Sequence, residues 1–221
     1  MKHTTATTTT TTAANVNTFN RPAASISAGN RKTGAIPSIS LPPIVTCHNC
    51  EHCSKHCYAL KHIYKLYPAA RKSYDYNLDL YREDPAAYFD TVRRTAATAR
   101  FFRWHVSGDI PDVEYLDNMV KVAHDAPGCH FMAFSKFYEG VDSYLDSGEK
   151  LPENLTIIFS KWYDLTVPKN PHNLPTSQVV DCADDRTPDQ LYCPGNCAAC
   201  CMAGSGCWNM TNGQEVAFIK H

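Results

Sequence analysis

The chain has 221 residues, 43% of them hydrophobic, and a formal net charge of −1. It is long enough to build its own core, so the 11 cysteines are not the disulfide framework of a small secreted scaffold. Residues 1–100 carry 13 Lys/Arg against 6 Asp/Glu and the remainder 8 against 16. That asymmetry points to solvated basic helix surfaces or an anionic partner, but no Lys/Arg run interleaved with aromatics makes a nucleic-acid signature.

The opening MKHTTATTTTTTAANVN is polar and threonine-rich. It buries too little apolar surface to offset the entropy of ordering, so residues 1–18 are expected to be a disordered tail. It also lacks the apolar stretch of a signal peptide or membrane span, which predicts a cytoplasmic protein with no membrane partner. Residues 19–221 are expected to fold as a single α/β domain. A first strand is predicted over 38–46, at an edge or irregular because of Pro42 and Pro43. Helices follow over 54–66, 68–82 and 85–99, the last opening on Pro85 after Asp84. The run FFRWHVSGD reads as a second strand, with Arg103, His105, Ser107 and Asp109 on one face and Phe102, Trp104 and Val106 on the other. A helix from Asp109 or Pro111 to Ala126, a strand HFMAFSK, a helix over 138–145, and strands LTIIFSKW, SQVVDC and EVAFIKH complete the pattern. Alternating strands and helices indicate a mostly parallel sheet, and six units suggest a partial (β/α)6-like open barrel with cysteine-rich metal-binding loops. Each strand ends in polar residues, where parallel sheets and barrels place their ligands.

The cysteines carry the chemistry. Cys47, Cys50, Cys53 and Cys57 read C-x2-C-x2-C-x3-C, the run of bacterial-type iron–sulfur ligation, although Tyr58 stands where the ferredoxin run has proline. Zinc is the competing metal, since C-x2-C pairs suit tetrahedral thiolate sites. A late group comprises Cys182, Cys193, Cys197, Cys200, Cys201 and Cys207. Within it Cys193, Cys197 and Cys200 have the C-x3-C-x2-C spacing of radical S-adenosylmethionine enzymes, but near the end of the chain. The group is therefore expected to hold an auxiliary cluster with Cys207, and Cys201 is a spare candidate. Cys129 reads as a buried small hydrophobe.

Around them, His105 is either a hydrogen-bonded core histidine or a proton relay facing a cluster. Asp109 is a helix N-cap or a ligand group, and Gly108 makes a turn or lets the backbone approach a ligand. Lys136 and Lys161 end neighbouring strands, as solvated lysines or as partners of an anion. Arg103, on the polar strand face, needs an anionic partner. Tyr74, Tyr76 and Tyr81 read as packing and surface residues.

The stretches SAGNRKTGAIPSISLPPIVTCHNCEHCSKHCYALK, RFFRWHVSGDIPDVEYLDNMVKVA and LPENLTIIFSKW, with CPGNCAAC, CWNM and the closing VAFIKH, resemble the phage and prophage family called gene product eighty-eight. Members in turn resemble radical S-adenosylmethionine proteins in their expected barrel. The resemblance singles out Cys47, Cys50, Cys53, Cys57, His105, Ser107, Gly108, Asp109, Lys136, Cys193, Cys197, Cys200 and Cys207; the expected roles are catalysis for His105, Asp109 and Lys136 and cofactor binding for Arg103, Ser107 and Gly108. The chain is thus expected to be a redox-active protein with two [4Fe–4S] clusters. S-adenosylmethionine is a candidate cofactor, an unknown small molecule or macromolecule the substrate, and an electron donor protein a candidate partner. The alternatives are electron transfer without S-adenosylmethionine and a non-enzymatic binding module stapled by iron–sulfur or zinc.

Overall fold

A computed structural model describes residues 22–162, 169–204 and 206–220; the threonine-rich tail lies outside them. The strands are β1 (Ser38–Ile39), β2 (Phe101–Trp104), β3 (His130–Ser135), β4 (Leu155–Ser160), β5 (Thr176–Val180), β6 (Leu191–Tyr192) and β7 (Glu215–Ile219). They form one sheet in the order β1-β2-β3-β4-β5-β7-β6, parallel at every pairing. The chain is therefore α/β with a wholly parallel sheet, open at β1 and β6. Strand β6 was not foreseen: two exposed residues flanked by polar ones carry no periodic signal.

The helices are α1 (Cys50–Cys53), α2 (Pro68–Glu83), α3 (Pro85–Ala96), α4 (Val113–Asp125), α5 (Tyr138–Asp146) and α6 (Cys197–Met202). Pro68 and Pro85 open α2 and α3, where a missing N–H is harmless, and Asp84 caps α3 by accepting from the Ala87 amide at 2.9 Å. The predicted helix over 54–66 is instead a 3₁₀ turn, Ser54–His56, followed by a π-helix, Ala59–Tyr64. Among the described residues no helix is long and apolar enough to cross a membrane.

The two faces of the sheet are covered differently. Phe102, Trp104, Phe131, Ala133, Ile157 and Phe159 pack in a core with the apolar faces of α2 to α5; fully burying such a side chain stabilises by about 1.5–3 kcal/mol. Met132, Ile158 and Val216, on the other face, pack instead with Cys201, Trp208 and Met210 of the C-terminal segment. That segment is anchored by the Trp208 indole N–H donating to the Phe102 carbonyl at 3.3 Å and by Thr156 Oγ1 donating to the Trp208 carbonyl at 3.0 Å.

Candidate metal centre

The strand alternation expected through Asp109 stops at Trp104. His105 has φ 53°, and this left-handed turn sends its ring to the helix side. There Nε2 lies 3.0 Å from the Tyr115 hydroxyl, itself 2.5 Å from that of Tyr88. Burial first, then the Arg103 charge, hold the imidazole down at about 3. His105 is thus a neutral core histidine tied to a tyrosine pair, and its buried Nδ1 has no partner among the described residues.

Gly108 follows at φ 80°; a Cβ there would stand 2.7 Å from Thr46 Oγ1 and 2.8 Å from the Leu41 carbonyl. The space left by this glycine is filled by the chain's own loop after β1. Ser107 is 4% exposed, its carbonyl accepts from the Leu41 amide at 3.0 Å, and its hydroxyl has no partner among the described residues.

Asp109 is not an N-cap. Helix α4 is capped by Asp112, whose carboxylate accepts from the Tyr115 amide at 2.8 Å. The Asp109 carboxylate instead crosses to the end of β3. It accepts from Ser135 Oγ at 2.7 Å, the Lys136 amide at 2.8 Å and the Ile110 amide at 2.7 Å. Burial pushes this carboxyl up, against the pull of those hydrogen bonds and of the Lys136 charge.

The first four cysteines lie over this rim. Their loop is fixed by two residues that the sequence reading passed over, although both are polar groups inside the C-x2-C spacing. His48 Nε2 lies 2.8 Å from the Ile110 carbonyl and its ring stacks on Phe137 at 4.2 Å, while Asn49 Nδ2 donates to the Lys136 carbonyl at 3.0 Å. Burial pushes the Cys47 thiol up to about 12, with Asp109 and Cys50 adding and Lys136 opposing. Cys50 is raised by burial and then by Cys53 and Cys57; Cys53 is raised by burial and Cys57 and lowered by Lys136. Four thiols and one ammonium therefore share a neighbourhood. Among the described residues Lys136 Nζ has one hydrogen bond, to Ser160 Oγ at 3.5 Å. Lys161, its expected companion, is instead paired with Glu215, which also accepts from Gln190 Nε2 at 2.5 Å and Thr176 Oγ1 at 2.8 Å.

The late thiols divide. Cys207 is pushed up to about 12 by burial and then by Cys193, Cys197 and Cys200, with Arg103 opposing. Cys193 is raised by burial, Cys197 and Cys200 and lowered by Arg103. Gly206, at φ 91°, makes the approach possible, since a Cβ there would lie 2.8 Å from Cys200 Cβ. Cys201, buried in the apolar cluster with Met132, Ile158 and Trp208, is raised to about 11 by burial and then by Cys197 and Cys200; Cys207, which packs against the same cluster, is acted on by Cys193 as well. Cys182 is exposed at the end of β5, and the thiols acting on Cys207 do not include it. Cys129 lies in the main core.

Arg103 stands between the two sets. Its guanidinium lies 5.6 Å from the Phe134 ring centroid and acts on Cys193 and Cys207 on one side and on the Tyr58 hydroxyl on the other. No hydrogen bond or ion pair engages it among the described residues, and its Nε is buried. Tyr58 is 44% exposed, yet burial is the first cause raising its hydroxyl to about 12, with Cys57 and Cys47 adding and Arg103 opposing. The ring surface is open while the hydroxyl lies deep, as in a side chain lining a recess.

Grouped thiols that raise one another's pKa, with a cation beside each group, are a donor set suited to metal. Soft thiolates select zinc, copper(I) or iron–sulfur clusters, and binding releases their protons. Among the described residues no group of three or more His, Cys, Asp or Glu converges as the ligands of a single ion do.

Fold and site together define an open, wholly parallel α/β protein with one cysteine set over its strand ends and another against its sheet face. The chain belongs to the Gene product 88 family, whose sequence profile matches residues 2–180. The match ends with β5, so the late cysteines lie beyond it, short of the near-complete coverage expected. No curated protein and no solved structure matches the chain, and nothing in the comparisons supports the further likeness to radical S-adenosylmethionine proteins.

Proposed function

We propose that this chain is a cytoplasmic iron–sulfur protein with redox activity, carrying one [4Fe–4S] cluster on Cys47, Cys50, Cys53 and Cys57 and a second on Cys193, Cys197, Cys200 and Cys207. The carrying observation is the late group, four mutually interacting thiols beside an unpaired guanidinium. A half-buried guanidinium whose neighbours are an aromatic ring and neutral thiols lacks a counter-charge, and a thiolate-ligated cluster would supply the negative charge that neutral thiols do not. Lys136 occupies the matching place beside the early set. When bound, such clusters would accept and release single electrons. The residues of the chain would hold the thiolates, set the local charge through Arg103 and Lys136, and keep water from the late set through Trp208 and Met210. The sequential order of β1 to β5 supports reading the sheet as part of an open barrel whose inner face is the one the late cysteines cover.

A second reading adds S-adenosylmethionine at an open iron of the early set, and with it radical chemistry on a substrate. It is favoured by the mutual action there of three thiols: Cys53 and Cys57 raise Cys50 and Cys57 raises Cys53, while Cys47 is not among the groups acting on Cys50.

Anaerobic purification, followed by iron, sulfide and zinc analysis and electron paramagnetic resonance of the reduced protein with and without S-adenosylmethionine, tests both. About eight iron and eight sulfide per chain are expected for two cubanes. A spectrum that the cofactor leaves unchanged sinks the second reading alone; stoichiometric zinc without sulfide sinks both and leaves a metal-stapled binding module.

A further inference from the structure

Among the described residues, six of the ten large hydrophobic side chains that stand exposed fall in residues 44–76: Ile44, Val45, Tyr58, Leu66, Tyr67 and Tyr76. Val45, Leu66 and Tyr67 are the most open of them, at 65%, 63% and 59%. Isolated exposed apolar residues need no explanation, but concentration in one segment marks an interaction surface. The same segment holds exposed Lys55, Lys61, Lys65, Arg71 and Lys72 against only Glu51 and Asp75. Arg71 is paired with Asp75, whereas among the described residues the four lysines have no ion-pair partner.

The surface is tied to the early cysteines by continuous backbone. The Lys61 amide donates to the Cys57 carbonyl at 3.0 Å, the Tyr67 amide to Ile63 at 2.9 Å and the Arg71 amide to Tyr67 at 3.2 Å. Ten residues of helix rise about 15 Å, so Leu66 and Tyr67 lie within that distance of Cys57. The π-helix over Ala59–Tyr64 belongs to the same stretch, and such turns recur at functional sites.

We infer that this segment is the docking surface for a small acidic one-electron donor protein, which delivers its electron to the early cysteine set. The inference rests on the cluster reading. Exposed apolar residues interspersed with unpaired lysines along one segment suit a transient protein partner of negative charge, whose approach lysines accelerate more than they tighten. Tyr58, Tyr67 and Tyr76 would offer bases stacking faces, but aliphatic Ile44, Val45 and Leu66, two of them the most exposed of the six, offer none, so single-stranded nucleic acid is the rival occupant that the test includes. The step balances simply: the donor's reduced flavin or iron–sulfur centre loses one electron and the early cluster gains it, with no bond made and no proton required.

The test uses the full chain and an acidic flavodoxin. Binding of oxidised flavodoxin is read by calorimetry at low and moderate salt, and cluster reduction by flavodoxin hydroquinone is read by stopped-flow absorbance, with dithionite as the small-molecule comparator. The variants are Lys61→Glu/Lys65→Glu/Lys72→Glu and, separately, Val45→Ser/Leu66→Ser, all at exposed positions. Binding that weakens steeply with salt is expected, with a loss of at least tenfold in affinity and in flavodoxin-driven rate for the charge-reversed variant. Its dithionite rate stays unchanged. Wild-type protein that fails to bind flavodoxin at low salt, variants that bind as wild type, or a surface that binds single-stranded DNA in place of flavodoxin would each overturn the inference. Failure of the cluster reading is separable, because it shows as no dithionite-bleachable absorbance while calorimetry still decides the docking.

Discussion

The early and late cysteine sets solve the same problem, holding four thiols together, with different forces. The early loop is pinned by polar contacts to the ends of β2 and β3: His48 to Ile110, Asn49 to Lys136, and Asp109 across to Ser135 and Lys136. The late segment is pinned mainly by apolar packing on the sheet face, through Trp208, Met210 and Cys201 against Met132, Ile158 and Val216. The cation differs as well, Lys136 at a strand end for one set and Arg103 inside the sheet face for the other. The lesson is that each set has its own scaffold, so each should fail independently.

Pairwise removal of thiols should give the largest effect. Cys193→Ala/Cys207→Ala and Cys50→Ala/Cys53→Ala are each expected to lower bound iron from about eight to about four per chain, leaving the signal of the other centre intact. Iron and sulfide assays with electron paramagnetic resonance check this; loss of both centres from either variant would show that the sets form one unit. Trp208→Ala comes next. Emptying a site 3% exposed should cost about 3–5 kcal/mol in urea unfolding and release iron from the late set only. Asp109→Asn breaks the other scaffold. Replacing a buried carboxylate that accepts three hydrogen bonds by an amide that cannot accept all of them should cost about 1–3 kcal/mol and release iron from the early set only. A Trp208 variant that empties the early set, or an Asp109 variant that empties the late one, would contradict separate scaffolds.

Sequence showed the parallel α/β order because long apolar runs such as HFMAFS and LTIIFS declare buried strands, and because Pro68, Pro85 and Asp84 mark helix starts. It also showed both thiol groups. What it hid was decided by backbone conformation and tertiary choice. The positive φ of His105 reversed the strand alternation, sending to the helix side a ring expected on Arg103's face. The choice between Cys201 and Cys207 depended on how the C-terminal segment lies against Met132 and Ile158, contacts more than 40 residues away in sequence. Lys161 could not be known to be neutralised until β7 was placed beside β5, bringing Glu215 to it. Two of these three depend on pairings between distant segments, which local spacing does not encode.

The smallest effect distinguishes His105 from both metal sets. Its imidazole faces Tyr115 and Trp104 on the helix side and Arg103 behind it. Burial and the guanidinium lower the folded-state value to about 3, against about 6.5 for an unfolded histidine. The folded protein therefore binds fewer protons than the unfolded chain between these values. The contribution of the neutral ring is complete above about 6.5 and is lost progressively as pH falls toward about 3. At pH 5.5 the loss from this one group is about 1.4 kcal/mol. Urea unfolding at pH 7.5, 6.5 and 5.5, with every metal ligand retained, is expected to show that decline in the wild type. In His105→Asn, a residue that tolerates the left-handed backbone, the decline should be reduced by that amount. Equal slopes in the two proteins would mean that the ring is not held neutral, and the Tyr115–Tyr88 pair would then need a charged partner in place of a neutral one.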